Sequence, residues 1–331
     1  MQILKKLVTP SLEWLIIPII FSAILWFLPA ILGIAHPQDS YPFQLFGTFT
    51  WFTLSAGWAH IIQFFFQIAI GLILMRWCER WQLIPLRSVI PLFVALFVMS
   101  IIADLQFFDA RTIALMLFLL AISQLLSMYS YNGEKVSAAF NIGFLIISAA
   151  FFHVEYAYLL VIFVIGMIIF STFTIRTFFA LLTGILVPLF LVWSAFFLSD
   201  NLPILYAILG DSHLNMFDLS SLSLLRTDVL LAGVLLVLFL MALVSYFSVS
   251  LNFKLHVRLN FFFINLAFVL GVIWVALFFY KLDVLLVVPI IFLIILLSFF
   301  FSTNQSKFVN IVFIAFIVLG LAYRVLNLLG F

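Results

Sequence analysis

Residues 135–198 read KVSAAFNIGFLIISAAFFHVEYAYLLVIFVIGMIIFSTFTIRTFFALLTGILVPLFLVWSAFFL. Three apolar runs, 136–152, 155–171 and 177–198, are parted by two short links, one holding His153 and Glu155 and the other Arg176. A helix crossing hydrocarbon needs roughly 20 apolar residues, within a range of about 17–25. Each run has that length, and the links leave room for little more than a turn. The stretch therefore predicts three successive membrane-crossing helices.

Working outward, the same rule marks 14–34, 57–75, 86–102 and 112–129 before this stretch, and 228–249, 259–279, 284–301 and 308–328 after it. The expectation is an all-α fold: a polytopic transmembrane helix bundle of eleven spans forming one domain over 1–331. The runs at 86–102 and 136–152 are short for a span. Composition agrees. The chain is 67% hydrophobic and 8% charged, against about 25% charged in an ordinary globular domain. Membrane lipids are the expected partners. A net charge of +2 argues against nucleic acid. The single cysteine, Cys78, excludes an intramolecular disulfide. Lys5 and Lys6 precede the first run as they would in a signal peptide, but that run is too long for one and reads as an uncleaved anchor.

Basic residues set orientation, because cytoplasmic loops carry the excess of Lys and Arg. With the amino terminus inside, ten of the fourteen basic residues fall on cytoplasmic segments, leaving Arg111, Arg226, Lys281 and Arg324 outside. The carboxyl terminus is then extracytoplasmic. Nine of the twelve acids fall outside, where the positive-inside rule makes no demand. Titratable chemistry is thus expected on the extracytoplasmic face.

Four outer segments carry the candidates. The loop 35–58 holds Asp39 and is aromatic enough to lie as one or two interfacial helices. The second, ADLQFFDAR, holds Asp104, Asp109 and Arg111. The third is the FHVEY link, with His153 and Glu155. The fourth, Ser199 to Thr227, holds Asp200, Asp211, His213, Asp218 and Arg226. Structural roles compete with chemical ones: Asp109 and Asp228 stand where acids cap helices, and Glu155 opens a run. The carboxylates would hold a divalent cation such as Mg²⁺ only where the fold gathers them. Within the second run, His60, Gln63 and Gln67 share one helix face at i, i+3 and i+7. Such a face either hydrogen-bonds to neighbouring helices or lines a cavity. No phosphate-binding G-x-x-x-x-G-K-[ST] loop, G-x-S-x-G elbow or H-E-x-x-H helix occurs, so those chemistries are not expected.

Two resemblances add to this. The segment Lys135–Phe190, through FNIGFLI, TIRTFF and GILVPLF, resembles an uncharacterised multi-pass inner-membrane family of Bacteroidota-type bacteria. That implies a bacterial inner membrane and no activity. The layout as a whole looks like the GT-C glycosyltransferases, in which acids on the first two outer loops and a longer outer loop after the seventh span surround the active site. The resemblance makes 1–226 a candidate GT-C-like module, with 227–331 as additional helices. It implies glycosyl transfer from a polyprenyl-phosphate-linked sugar at the extracytoplasmic face. Asp39 would serve as general base, Asp104 or Asp109 would position the acceptor or a metal, and Arg111, Arg226 or Lys281, preferably an arginine, would hold the donor phosphate. His60, Gln63, His153 and Glu155 would line the substrate site. The chain lacks the paired first-loop acids of many such enzymes and any large outer domain. The rival expectations are an accessory subunit of an envelope complex and a transporter of lipid or small solute.

Overall fold

The computed structural model describes residues 12–31, 40–45, 49–84, 88–102, 105–129, 135–200, 202–203, 226–249, 253–277, 286–303 and 306–328. Asp39, Asp104, Asp211, His213 and Asp218 lie outside them, and Arg226 and Asp228 are described in backbone alone.

Among the described residues the chain forms eleven α-helices. They are α1 Leu12–Ile31, α2 Ala56–Arg80, α3 Ile90–Ile101, α4 Ala110–Met128, α5 Lys135–Ala150, α6 Leu160–Ile169, α7 Ile175–Leu198, α8 Arg226–Val249, α9 Leu255–Leu277, α10 Val287–Thr303 and α11 Lys307–Leu328. Each coincides with one of the eleven apolar runs. A 3₁₀ turn, Val154–Leu159, leads into α6. Five stretches, in α2, α4, α7, α9 and α11, are long and apolar enough to cross a membrane. The fold is an all-α bundle built as membrane proteins are.

The interfacial helices expected after α1 do not form across 40–55. Strands β1 Ser40–Leu45 and β2 Phe49–Ser55 make an antiparallel hairpin instead, pairing Ser40 with Ser55 and slipping register between Phe43 and Gln44. The local sequence explains the difference. FTWFTL holds three aromatic and two β-branched residues in six, the types that favour a pleated strand over a helix. α2 begins directly after Ser55.

Two helices form the centre. All twelve residues of α3 are buried, and α10 is buried from Val287 through Ser302. They pack on each other, with α1, α2 and α11 also against α3 and α8 and α9 also against α10. Aromatic rings fill this interior: Phe301 meets Phe313 edge-on, and Phe118 meets Phe292 and Phe163 edge-on. α4, α5 and α7 extend the bundle to one side. α5 and α7 run in the same direction and touch backbone to backbone. A Cβ at Gly143 would fall 2.5 Å from the Leu181 carbonyl oxygen, and one at Gly184 would collide with the Phe140 carbonyl oxygen.

Candidate functional site

The site begins with a helix that stops early. At about 1.5 Å per residue, α3 covers roughly 18 Å, well short of a hydrocarbon layer of about 30 Å. Ile102 turns to extended geometry, and α4 does not start until Ala110. Non-helical backbone at membrane depth survives only if its polar groups are met within the protein or by water.

The polar face of α2 meets them. Gln67 Nε2 donates to the Leu96 carbonyl at 2.8 Å and to Ser100 Oγ at 3.2 Å. Gln63 Nε2 donates to the Leu105 carbonyl at 3.0 Å. His60 places Nδ1 3.1 Å from the Gln106 carbonyl and Nε2 3.1 Å from the Trp26 carbonyl. A neutral ring donates from one nitrogen only, so the tautomer decides which carbonyl receives the proton. Trp26 returns a bond from Nε1 to the His60 carbonyl at 3.2 Å, and the Phe108 N–H reaches the Ala59 carbonyl at 3.1 Å. Between the two readings of the His60–Gln63–Gln67 face, the described contacts are interhelical hydrogen bonds.

The network continues through side chains. Thr112 Oγ1 donates to Gln63 Oε1 at 2.7 Å, Gln106 Nε2 donates to the Ser100 carbonyl at 2.8 Å, and Ser100 and Ser22 share a hydroxyl bond of 2.8 Å. Arg324 of α11, only 2% exposed, donates from Nη2 to Gln106 Oε1 at 2.7 Å. Five helices are joined in this way at the end of the bundle that carries the hairpin.

Asp109 and Arg111 stand at its edge. Asp109 is the N-cap of α4: its Oδ1 accepts from the Arg111 N–H at 2.9 Å, and its Oδ2 pairs with Arg111 Nε. Both side chains are 20% exposed. With Gln63, Gln67 and Thr112 they line a pocket of about 20 Å³, a volume on the scale of one water molecule. His60 lies outside that lining. Gln67 Oε1 is buried and meets no donor among the described residues.

Glu155 and His153 lie close by. Glu155 is buried in the first turn of the 3₁₀ segment, its Oε2 3.9 Å from His153 Nδ1. Tyr156 is fully buried, and Asp109, Arg111 and Glu155 all lie within electrostatic reach of its hydroxyl. The structure thus gathers Asp109, Arg111 and Gln63 in one pocket, pairs Glu155 with His153 outside its lining, and bonds His60 to Gln106. The placement of Asp39 and Asp104 and the side chain of Arg226 lie outside the described residues. Among the described residues no three of His, Cys, Asp or Glu gather as a metal site.

Sequence reading passed over Gln106, Thr112 and Arg324. Arg324 left a signal. It continues the stripe Val309, Phe313, Phe316 and Gly320 that buries α11, so helical periodicity alone puts it inside, and an ionisable residue inside a span is a functional candidate by default. Gly320 opens the way, since a Cβ there would lie 2.5 Å from Ile101 and 2.7 Å from Phe97.

Beside the polar cluster, across the end of α3, lies an apolar cleft of about 140 Å³ whose walls include Val98, Ile101, Val234, Phe316, Tyr323 and Leu326. No protein-family model, curated protein or solved structure matches the chain.

Proposed function

We propose that this chain is a multi-pass protein of a bacterial cytoplasmic membrane, amino terminus inside, that engages a lipid-linked substrate at its extracytoplasmic end. The observation that carries the reading is the pairing of two unlike surfaces around the end of α3. On one side is an apolar cleft between α3, α8 and α11. On the other is a polar pocket with the partly exposed Asp109–Arg111 pair at its mouth. An amphiphile with an anionic head and an apolar chain uses both kinds of surface. The chemistry proposed is glycosyl transfer from a polyprenyl-phosphate sugar. Arg111, and Arg226 at the start of α8, would meet the phosphate, because a guanidinium fork matches phosphate geometry. Asp39 would act as base on the acceptor hydroxyl, and Asp104 or Asp109 would orient it. A divalent cation such as Mg²⁺ belongs to this proposal only through Asp39 and Asp104.

A pocket of about 20 Å³ is too small for a sugar, so catalysis requires this end to open. The closed network is what favours a second reading, a non-catalytic accessory subunit of an envelope complex. There His60, Gln63, Gln106 and Arg324 hold the broken α3 in place and nothing more. A solute transporter is the weakest alternative, because the polar face of α2 is spent on backbone carbonyls.

The test has two parts. Reporter fusions at Gly133 and Lys307 are expected to report cytoplasm, and those at Asp211 and Phe331 the outer side. The purified full chain is then given a labelled polyprenyl-phosphate sugar. Transfer or hydrolysis by the wild type, lost in Asp39→Asn and Arg111→Gln, supports the enzyme. A protein that neither binds nor turns over any polyprenyl-phosphate sugar overturns the enzyme reading.

A further inference from the structure

At the end of the bundle opposite the hairpin, α5 and α7 begin side by side. Their backbones meet at Gly143 and Gly184, two to three turns in. From there towards their first residues they leave an open groove lined by Lys135, Ser137, Phe140, Arg176, Phe179 and Thr183. The chemistry of that groove is mixed in a particular way. Lys135 and Arg176 supply two exposed cations, and among the described residues no carboxylate lines the groove and neither cation forms an ion pair. Around them are exposed apolar side chains: Ile175 is 78% exposed and Phe179 60%.

The positions of the two cations are unusual. Lys135 is the first residue of α5 and Arg176 the second of α7. Cations are disfavoured there, because the amino-terminal end of a helix already carries partial positive charge. At α7 the free N–H groups are partly occupied internally: Thr174 and Thr177 form a reciprocal capping box. Two side-chain charges and two helix ends thus converge on one groove, and Glu134, which precedes Lys135 in sequence, lies outside the described residues. An anion from outside relieves that arrangement.

We propose that the groove binds an anionic glycerophospholipid. Its phosphodiester sits between Lys135 and Arg176, and one acyl chain lies along Phe140 and Phe179 towards the Gly143–Gly184 crossing. Charge complementarity selects an anion, and the apolar walls select a lipid over a free phosphate. Basic pockets between transmembrane helices are suited to such headgroups. The inference needs the chain to lie in a membrane. It does not need the orientation or the chemistry proposed above, so it survives if either of those fails.

The test uses the full chain in nanodiscs of phosphatidylcholine with and without phosphatidylglycerol. Native mass spectrometry reads how much phosphatidylglycerol survives delipidation. The wild type is expected to retain it. K135Q/R176Q is expected to bind about thirtyfold more weakly, and either single variant about fivefold, at the energy of one interfacial charge each. K135R/R176K keeps both charges and retains the lipid. K254Q/K307Q removes the same net charge from exposed residues outside the groove and retains it too. The proposal is overturned if the wild type shows no preference, if K135Q/R176Q or the single variants bind as the wild type does, or if K254Q/K307Q loses as much. Full displacement by inorganic phosphate also overturns it, since the chain would then contribute nothing. If the double variant fails to fold, the single variants and K135R/R176K decide.

Discussion

α10 and α7 are written in nearly the same alphabet, VVPIIFLIILLSFFFST against IRTFFALLTGILVPLFLVWSAFFL, yet they occupy opposite environments. α10 is buried from Val287 to Ser302, whereas α7 buries only Thr177, Leu181, Gly184 and Pro188. In water such a pair could not coexist, because an exposed apolar helix would collapse inward. In lipid, tails are as apolar as leucine, and helices associate through packing and hydrogen bonds, without a hydrophobic drive. Apolarity alone therefore says nothing about which helix is central. What distinguishes them is where small and polar residues sit. In α7 the buried residues fall at i, i+4, i+7 and i+11, one stripe with a glycine at its middle, so the helix has a single seam. α10 has no such stripe and is enclosed by α3, α8 and α9.

If that seam is what holds α7, then Gly184→Leu gives the largest effect of any substitution considered. A Cβ there meets the Phe140 backbone, which cannot rotate away as a side chain would. The expected loss is about 3 kcal/mol, the upper end for overpacking. It is read as a fall in detergent melting temperature, with α7 becoming open to protease. An unchanged melting temperature would mean that α5 and α7 do not touch as described.

The next substitution sets the two helices against each other. Phe292 in α10 is fully buried, and Phe190 in α7 is 65% exposed. Phe292→Ala leaves a cavity that lipid cannot enter. The transfer part of the usual large-to-small cost falls away where the alternative is lipid, so roughly 2–3 kcal/mol remains of the 3–5 seen in water. Phe190→Ala exchanges one lipid contact for another and stays within about 0.5 kcal/mol. Equal losses at the two positions would erase the distinction between centre and periphery.

The same physics explains what could be read from sequence. Apolar run length located all eleven helices, five of which are long and apolar enough to cross a membrane. The run at 86–102 is short, and α3 within it is only twelve residues long. It can be so short because protein covers its broken end. The hairpin was lost because FTWFTL is apolar enough to suggest an interfacial helix, and strand alternation is a weak signal over seven residues. At the site, Asp109 and Arg111 were legible as the first turn of α4, and His60, Gln63 and Gln67 as one face of α2. Their partners were not. Those three side chains bond to carbonyls of Trp26, Leu96, Leu105 and Gln106, and a backbone carbonyl has no signature in the sequence.

Between the packed centre and the lipid-facing rim lies the Gln106–Arg324 bond, where removing either partner gives different results. Gln106→Leu leaves a buried guanidinium without its described acceptor and is expected to cost roughly 1.5 kcal/mol. Arg324→Met removes the charge, fills similar volume and leaves a neutral amide that keeps its bond to the Ser100 carbonyl. That variant is expected within about 0.5 kcal/mol of the wild type, because a buried charge replaced by an apolar side chain is often nearly neutral. Thermal unfolding of the two single variants and the double variant in one detergent measures the coupling. If Arg324→Met is the costlier change, Arg324 has a second partner that matters more than Gln106.

The smallest expected change in stability carries the most information about function. Asp109→Asn keeps an N-cap, since asparagine caps as well as aspartate, and so the bond from the Arg111 N–H persists. It removes the ion pair with Arg111, but both side chains are 20% exposed, and pairs open to solvent contribute between about 0 and 1 kcal/mol. The melting temperature should therefore barely move. The two functional readings then separate. In a glycosyltransferase Asp109→Asn weakens acceptor positioning and frees the Arg111 guanidinium, so turnover drops while donor phosphate binding holds or tightens. In an accessory subunit nothing measurable changes, because a cap is all that Asp109 supplies and asparagine supplies it equally. A large loss of stability would contradict both, and would mean that the carboxylate has a stabilising partner besides Arg111.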